Sequence, residues 1–182
     1  MHRRRREAWL RTATVGKLGV LMRLARCLVI ALLGVTACSS TPELPSPPVG
    51  FPDLNEFAGV DPKDFDLGGT AFVSPERISC LLDYGPHRSV VCGRNIDGIA
   101  DSVTGTGCPE VRKPEDGPSD APYVISRPDG DCASARFKPI TVGKKLKGHN
   151  NTCVVGGNNL VACIDADHKH GFVLSPSGSW AF

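Results

Sequence analysis

Long apolar runs are scarce in this 182-residue chain. The uncharged stretch nearest to one, Cys27–Ala37, holds 11 residues, too few to cross a bilayer as a helix. Downstream of about Asn55, no dozen consecutive residues place apolar side chains at three-and-four spacing. Long coiled coils and helical bundles are thereby excluded. The 20 glycines and 15 prolines are too few and too irregular for collagen, and the length leaves no room for a multidomain enzyme. Aromatic residues make up only 6% of the chain, a small supply for a core. The motifs G-x-S-x-G, S-x-x-K, H-E-x-x-H and C-x-x-C are all absent. A strong overall charge is missing too, since 21 bases face 19 acids.

That balance hides an uneven distribution. Residues 1–37 hold eight bases (Arg3, Arg4, Arg5, Arg6, Arg11, Lys17, Arg23 and Arg26) against Glu7 alone, leaving 13 bases and 18 acids downstream, net −5. An acidic folded part disfavours nucleic acid and anionic headgroups as its partners. Lys144, Lys145 and Lys147 form the only dense basic run there, and it reads as a solvated strand edge.

Positive charge, the short apolar stretch and closing small residues follow the plan of a secretory signal over residues 1–37, with Met22 as a possible true start. Val35-Thr36-Ala37-Cys38 resembles the lipobox of bacterial lipoproteins. The resemblance implies cleavage after Ala37, acylation of Cys38 and retention on the extracytoplasmic face of the cell membrane, because each buried methylene adds about 0.8 kcal/mol. An ordinary signal peptide or a retained anchor are the competing readings. Residues 38–54 include Pro42, Pro45, Pro47, Pro48 and Pro52 and read as a lipid-attached, proline-rich tether.

Residues 55–182 are expected to form an all-β domain built mainly of antiparallel hairpins. Short apolar runs predict strands over 70–74, 78–84, 88–92, 123–126, 152–155, 160–165, 172–175 and 179–182. Between them, Ser74-Pro75-Glu76-Arg77, Arg127-Pro128-Asp129-Gly130 and Ser175-Pro176-Ser177-Gly178 place proline where a type I turn favours it. Excluding Cys27 and Cys38, six cysteines remain: Cys80, Cys92, Cys108, Cys132, Cys153 and Cys163. An even count in an exported chain predicts disulfides. A three-residue loop at Gly85-Pro86-His87 sets Tyr84 against Arg88, Leu82 against Val90 and Cys80 against Cys92. A loop at Gly157-Asn158-Asn159 likewise sets Val155 against Val161 and Cys153 against Cys163. Cys108 and Cys132 are then left to pair, although an inter-hairpin arrangement would use the same six residues. Residues 93–121 read as a long loop region, where binding commonly sits on a stapled scaffold.

Asp165-Ala166-Asp167-His168-Lys169-His170 is the most suggestive chemical cluster. A strand continued through it would turn His168 and His170 to one face, as a zinc- or copper-binding H-x-H pair requires. A polar turn explains the same residues. His170-Gly171 and Ser177-Gly178 resemble elements of cell-wall L,D-transpeptidases, but Ser179 stands where that family has its nucleophilic cysteine. Trp180 and Phe182 are expected in the core.

Phe51-Pro52-Asp53-Leu54, Phe72-Val73-Ser74-Pro75 with Ile78-Ser79-Cys80, and above all the closing Gly171–Phe182 segment resemble an actinobacterial, chiefly mycobacterial, family of exported or lipid-anchored small proteins. That family has no assigned activity, so the resemblance implies an envelope location and carries over no catalytic residue. The combined expectation is a membrane-anchored, non-enzymatic module without a cofactor, binding an envelope protein or wall component. The alternative is a metal-binding protein using His168 and His170.

Overall fold

The computed structural model describes residues 43–66, 70–132 and 136–182. The expected signal segment, Met22 and Cys38 lie outside them. Among the described residues there are two short 3-10 turns, Leu54–Glu56 and Pro62–Phe65, no α-helix, and twelve strands. In chain order these are β1 (Ala58–Gly59), β2 (Ala71–Val73), β3 (Ile78–Tyr84), β4 (Ser89–Arg94), β5 (Glu110–Arg112) and β6 (Val124–Ser126). They are followed by β7 (Lys138–Pro139), β8 (Lys144–Lys147), β9 (Asn151–Val155), β10 (Val161–Asp165), β11 (Gly171–Leu174) and β12 (Trp180–Ala181). The described part of the chain is all-β, and each of the eight expected strands is present.

The strands form two six-stranded sheets, ordered β1-β8-β9-β10-β11-β12 and β6-β5-β4-β3-β2-β7. Only the β1/β8 and β2/β7 pairs are parallel. One buried cluster joins the inward residues of both sheets, among them Phe72, Ile78, Leu82, Val90 and Val111 on one side and Leu146, Val155, Val161, Phe172 and Leu174 on the other. The architecture is therefore a β-sandwich whose alternating side chains fill the space between the layers.

Cys80 pairs with Cys92, Cys153 with Cys163 and Cys108 with Cys132. The first two bridges join directly opposed positions within their hairpins, and all four of their cysteines are fully buried in the inter-sheet cluster. On the chain-entropy account each bridge contributes about 2–4 kcal/mol. The inter-hairpin arrangement is excluded.

Register differs from expectation at one place. The β9–β10 hairpin has the expected pairs Val155–Val161 and Cys153–Cys163, with Asn158 and Asn159 in the left-handed region of its loop. In the β3–β4 hairpin, by contrast, Tyr84 faces Ser89 rather than Arg88, because the register shifts between Leu81 and Tyr84. Leu82 and Asp83 thus oppose Val90 alone, a β-bulge with Asp83 at φ 54°. Asp83 is well suited to that conformation, since aspartate tolerates positive φ better than most residues.

The bulge aims the Asp83 carboxylate across the sandwich. It accepts hydrogen bonds from the backbone amides of His149 (2.7 Å) and Asn150 (3.0 Å) and from Asn151 Nδ2 (3.2 Å). Asn151 Nδ2 also donates to the Arg88 carbonyl at 3.1 Å. A single side chain of one sheet therefore organises the β8–β9 turn of the other.

Three further expectations need correcting. The packed domain begins upstream of residue 55, because Phe51 and Leu54 cover Val154, Ala162 and Val173 on the outer face of the β9–β11 sheet. Trp180 lies on that same outer face, and the Phe182 ring lies tilted 5.3 Å from it and edge-on 6.1 Å from Phe51. Ala181, between them, faces the inter-sheet core instead. The lysine run is not a free edge either: β8 lies between β1 and β9, and Lys145 Nζ donates to the Leu54 carbonyl at 2.8 Å.

Removing the Asp83 carboxylate leaves several donors without partners, so Asp83→Ala is expected to cost about 2 kcal/mol in urea unfolding with the disulfides intact. Asp83→Asn, which keeps an accepting oxygen and tolerates the backbone angle, should lose less. Equal stability of the alanine variant and the parent would contradict the clasp.

Candidate functional site

At one open end of the sandwich, the core-facing positions become polar. Asp165 has the strand parity of Val161 and Cys163, and Lys113 that of Val111, so both side chains point toward the inter-sheet space as their strands end. Lys113 is 5% exposed, and its ammonium lies 2.7 Å from Asp165 Oδ2. It also donates to the Ser119 carbonyl at 3.0 Å and sits 5.3 Å from the centre of the Tyr123 ring. Burial of a lysine at this depth requires such pairing, since an isolated buried ammonium is strongly disfavoured.

Tyr123 completes the group. Its hydroxyl donates to Asp165 Oδ1 at 2.7 Å and accepts from the Val90 amide at 3.0 Å. Its ring packs edge-on against Phe172, 5.1 Å between centres. Burial and then the Asp165 carboxylate push the phenol well above its ordinary pKa, because both disfavour a second negative charge. Lys113, Asp165 and Tyr123 hence join β4, the end of β5, the start of β6 and β10 through one polar contact set.

A cleft of about 280 Å³ opens above Lys113 and Asp165, rimmed by His87, Arg88, Asp120, Asn150, Asp167 and His170. Arg88 reaches the rim from a left-handed backbone position in the β3–β4 loop, φ 47°. His170 Nδ1 is buried without a hydrogen-bond partner. The cleft thus offers one guanidinium, imidazoles and carboxylates around a floor whose charges are already matched. The floor's ammonium is committed to Asp165, whose second oxygen is held by the Tyr123 phenol.

The two histidines proposed as a metal pair separate. β10 ends at Asp165, and Ala166–Lys169 forms the turn closed by Asp165 N donating to His170 O at 2.9 Å. His168, at φ 60°, directs Nδ1 to the Pro45 carbonyl at 3.0 Å, whereas His170 lines the cleft. The continued strand on which the shared face depended is not formed. Among the described residues, no three His, Cys, Asp or Glu side chains gather in a metal-holding arrangement.

Ser179 is likewise occupied by local structure. Its Oγ donates to the Asp97 carbonyl at 2.6 Å and accepts from the Ser175 amide at 3.1 Å, bracing the turn closed by Gly178 N and Ser175 O. Cys38 remains outside the described residues. Sequence reasoning missed Lys113 and Tyr123 as site residues, although the parity of Asp165 with Cys163 was available.

Breaking the buried pair should be costly: Lys113→Met strands Asp165 and is expected to destabilise the fold by about 3 kcal/mol. Lys113→Met with Asp165→Asn should recover part of that loss in a denaturant double-mutant cycle; additive losses would deny the coupling. The raised Tyr123 pKa has a second consequence. The unfolded chain loses this proton near pH 10 and the folded protein holds it longer. The stability due to Tyr123 is therefore complete below about pH 10 and falls as pH rises further, a decline that Tyr123→Phe should remove in denaturant unfolding at stepped alkaline pH. The chain matches no protein-family profile, no curated protein and no solved structure, so its chemistry is read from these residues alone.

Proposed function

We propose that this chain is a lipid-anchored protein of the extracytoplasmic membrane face, mature from Cys38, whose disulfide-stapled sandwich binds an envelope protein or wall component without catalysis. The observation that carries the binding role is the cleft lined by Lys113 and Asp165, the latter fixed in turn by Tyr123. Its floor spends the groups most able to act as nucleophile or base on a closed set of mutual contacts, and its rim keeps Arg88, Asp167 and His170 for recognition. The three disulfides fit an oxidising compartment outside the cytoplasm. The lipobox-like Val35–Cys38 segment and the resemblance of residues 171–182 to an exported actinobacterial family support the same location.

A non-enzymatic module needs rigid presentation more than a mobile reacting group, and bridged hairpins meet that need. The net charge of −5 downstream of residue 37 argues against nucleic acid as the ligand.

The test has two parts. Mass spectrometry of the mature N-terminus should find acylated Cys38, and Cys38→Ala should move the protein from the membrane to the soluble fraction. An unmodified peptide reading from Ala37 through Ser39 would overturn the anchor. For the cleft, soluble peptidoglycan fragments should bind saturably, with Arg88→Glu weakening binding by about tenfold or more while the thermal midpoint holds. Turnover of the fragments, abolished by one point substitution, would replace the binding reading with an enzymatic one.

A further inference from the structure

The outer face of β3 and β4 carries a second cleft, of about 410 Å³, independent of the polar cleft and of any lipid anchor. Its floor is set by strand parity. Cys80 and Cys92 point inward, so Ser79, Leu81, Val91 and Gly93 point outward and line the cavity. Ser79 and Gly93 are cross-strand partners, and the absent side chain at Gly93 keeps that part of the floor low. A Cβ there would meet the Pro109 carbonyl at 3.4 Å and Glu110 Cβ at 3.8 Å, so alanine fits while a larger side chain must rise into the cleft.

The opposite wall, Pro128–Asp131, is held in place by the Cys108–Cys132 bridge and by Cys108 N donating to the Gly130 carbonyl at 3.3 Å. Two glycines let this wall approach so closely: a Cβ on Gly105 would fall 2.5 Å from the Arg127 carbonyl, and one on Gly107 1.7 Å from the Pro128 carbonyl. Arg127–Gly130, expected as a simple turn, is therefore the lip of a built cavity.

Two of its polar groups have buried atoms without a hydrogen-bond partner. Ser79 is 7% exposed and its Oγ makes no hydrogen bond. Arg94, at the end of β4 with φ 85°, has a buried Nε–H without an acceptor and no ion pair among the described residues. Glu110, Asp129 and Asp131 line the same cleft; Glu110 lies 3.8 Å from Arg112 Nη1, and none of the three lies within salt-bridge distance of Arg94. Opposite charges thus share one cavity while remaining unneutralised by each other, beside the apolar surface of Leu81, Val91 and Phe137. Buried donors without acceptors are rare in folded proteins and call for one.

We propose that this cleft binds small zwitterions of amino-acid type carrying an apolar side chain. The ligand carboxylate takes the Arg94 guanidinium and the Ser79 hydroxyl, its ammonium faces the carboxylates of the opposite side, and its side chain lies on Leu81, Val91 and Phe137. The volume lies within the range of small-molecule sites.

Calorimetry on the purified full-length protein in detergent, with its three disulfides verified by mass, tests this using leucine, N-acetylleucine and leucinamide. Leucine should bind, and the two singly charged analogues should each bind about tenfold more weakly or worse. Arg94→Gln should cost leucine a similar factor, Arg94→Lys less, and Gly93→Leu should block it. Ser79→Ala removes a buried hydroxyl that makes no hydrogen bond within the protein, so it checks the same site with little cost to the fold. No leucine binding, equal affinity for N-acetylleucine, or unchanged affinity in both Arg94→Gln and Ser79→Ala would each overturn the proposal.

Discussion

Strand register is the constraint on which this molecule depends. A slip of one residue in either central hairpin would carry every inward side chain to the opposite face, emptying the layer that holds Phe72, Phe172 and their neighbours. Each hairpin has its pairing fixed by a cystine between directly opposed inward positions. These bridges do more than restrict the unfolded chain, since they lie in the core and serve as packing atoms as well as staples. A chain with so few aromatic residues gains order in this way without a larger apolar interior.

With the centre fixed, the ends of the sandwich are free to be polar. Asp83, turned inward by its bulge, and the Lys113–Asp165–Tyr123 group, on positions that continue the inward parity of apolar residues, occur close to strand ends. Both join the sheets through charge-assisted hydrogen bonds, which favour one geometry far more sharply than apolar contact does. The two clefts differ accordingly. The one at the sandwich end has a floor of satisfied charges, whereas the one on the outer face retains unsatisfied Ser79 and Arg94.

Much of the fold was legible because local signals dominate hairpins. Turn residues mark the loops, alternation marks the strands, and the distance back from Gly157–Asn159 sets Cys153 opposite Cys163. The β3–β4 hairpin shows where that logic ends: an aspartate bulge leaves no glycine to mark it, and the pairing near the loop shifts while Cys80–Cys92 survives. Two-residue strands such as β1 and β7 owe their existence to distant partners and have no period of their own. The polar site was partly visible, as Asp165 and His170 were singled out, but Lys113 required recognition of the three-residue β5 inside a segment read as loop. His168 and His170 failed as a pair because a turn, with His168 at positive φ, replaced the extended backbone that alternation presumes.

The bond between His168 Nδ1 and the Pro45 carbonyl ties the domain's N-terminal approach to the very turn that borders the cleft. Pro45 stands seven positions after Cys38, a leash of about 25 Å at full extension. On the proposed acylation, the cleft entrance would patrol only the first few nanometres above the bilayer, and anything it captures must itself come down to that layer.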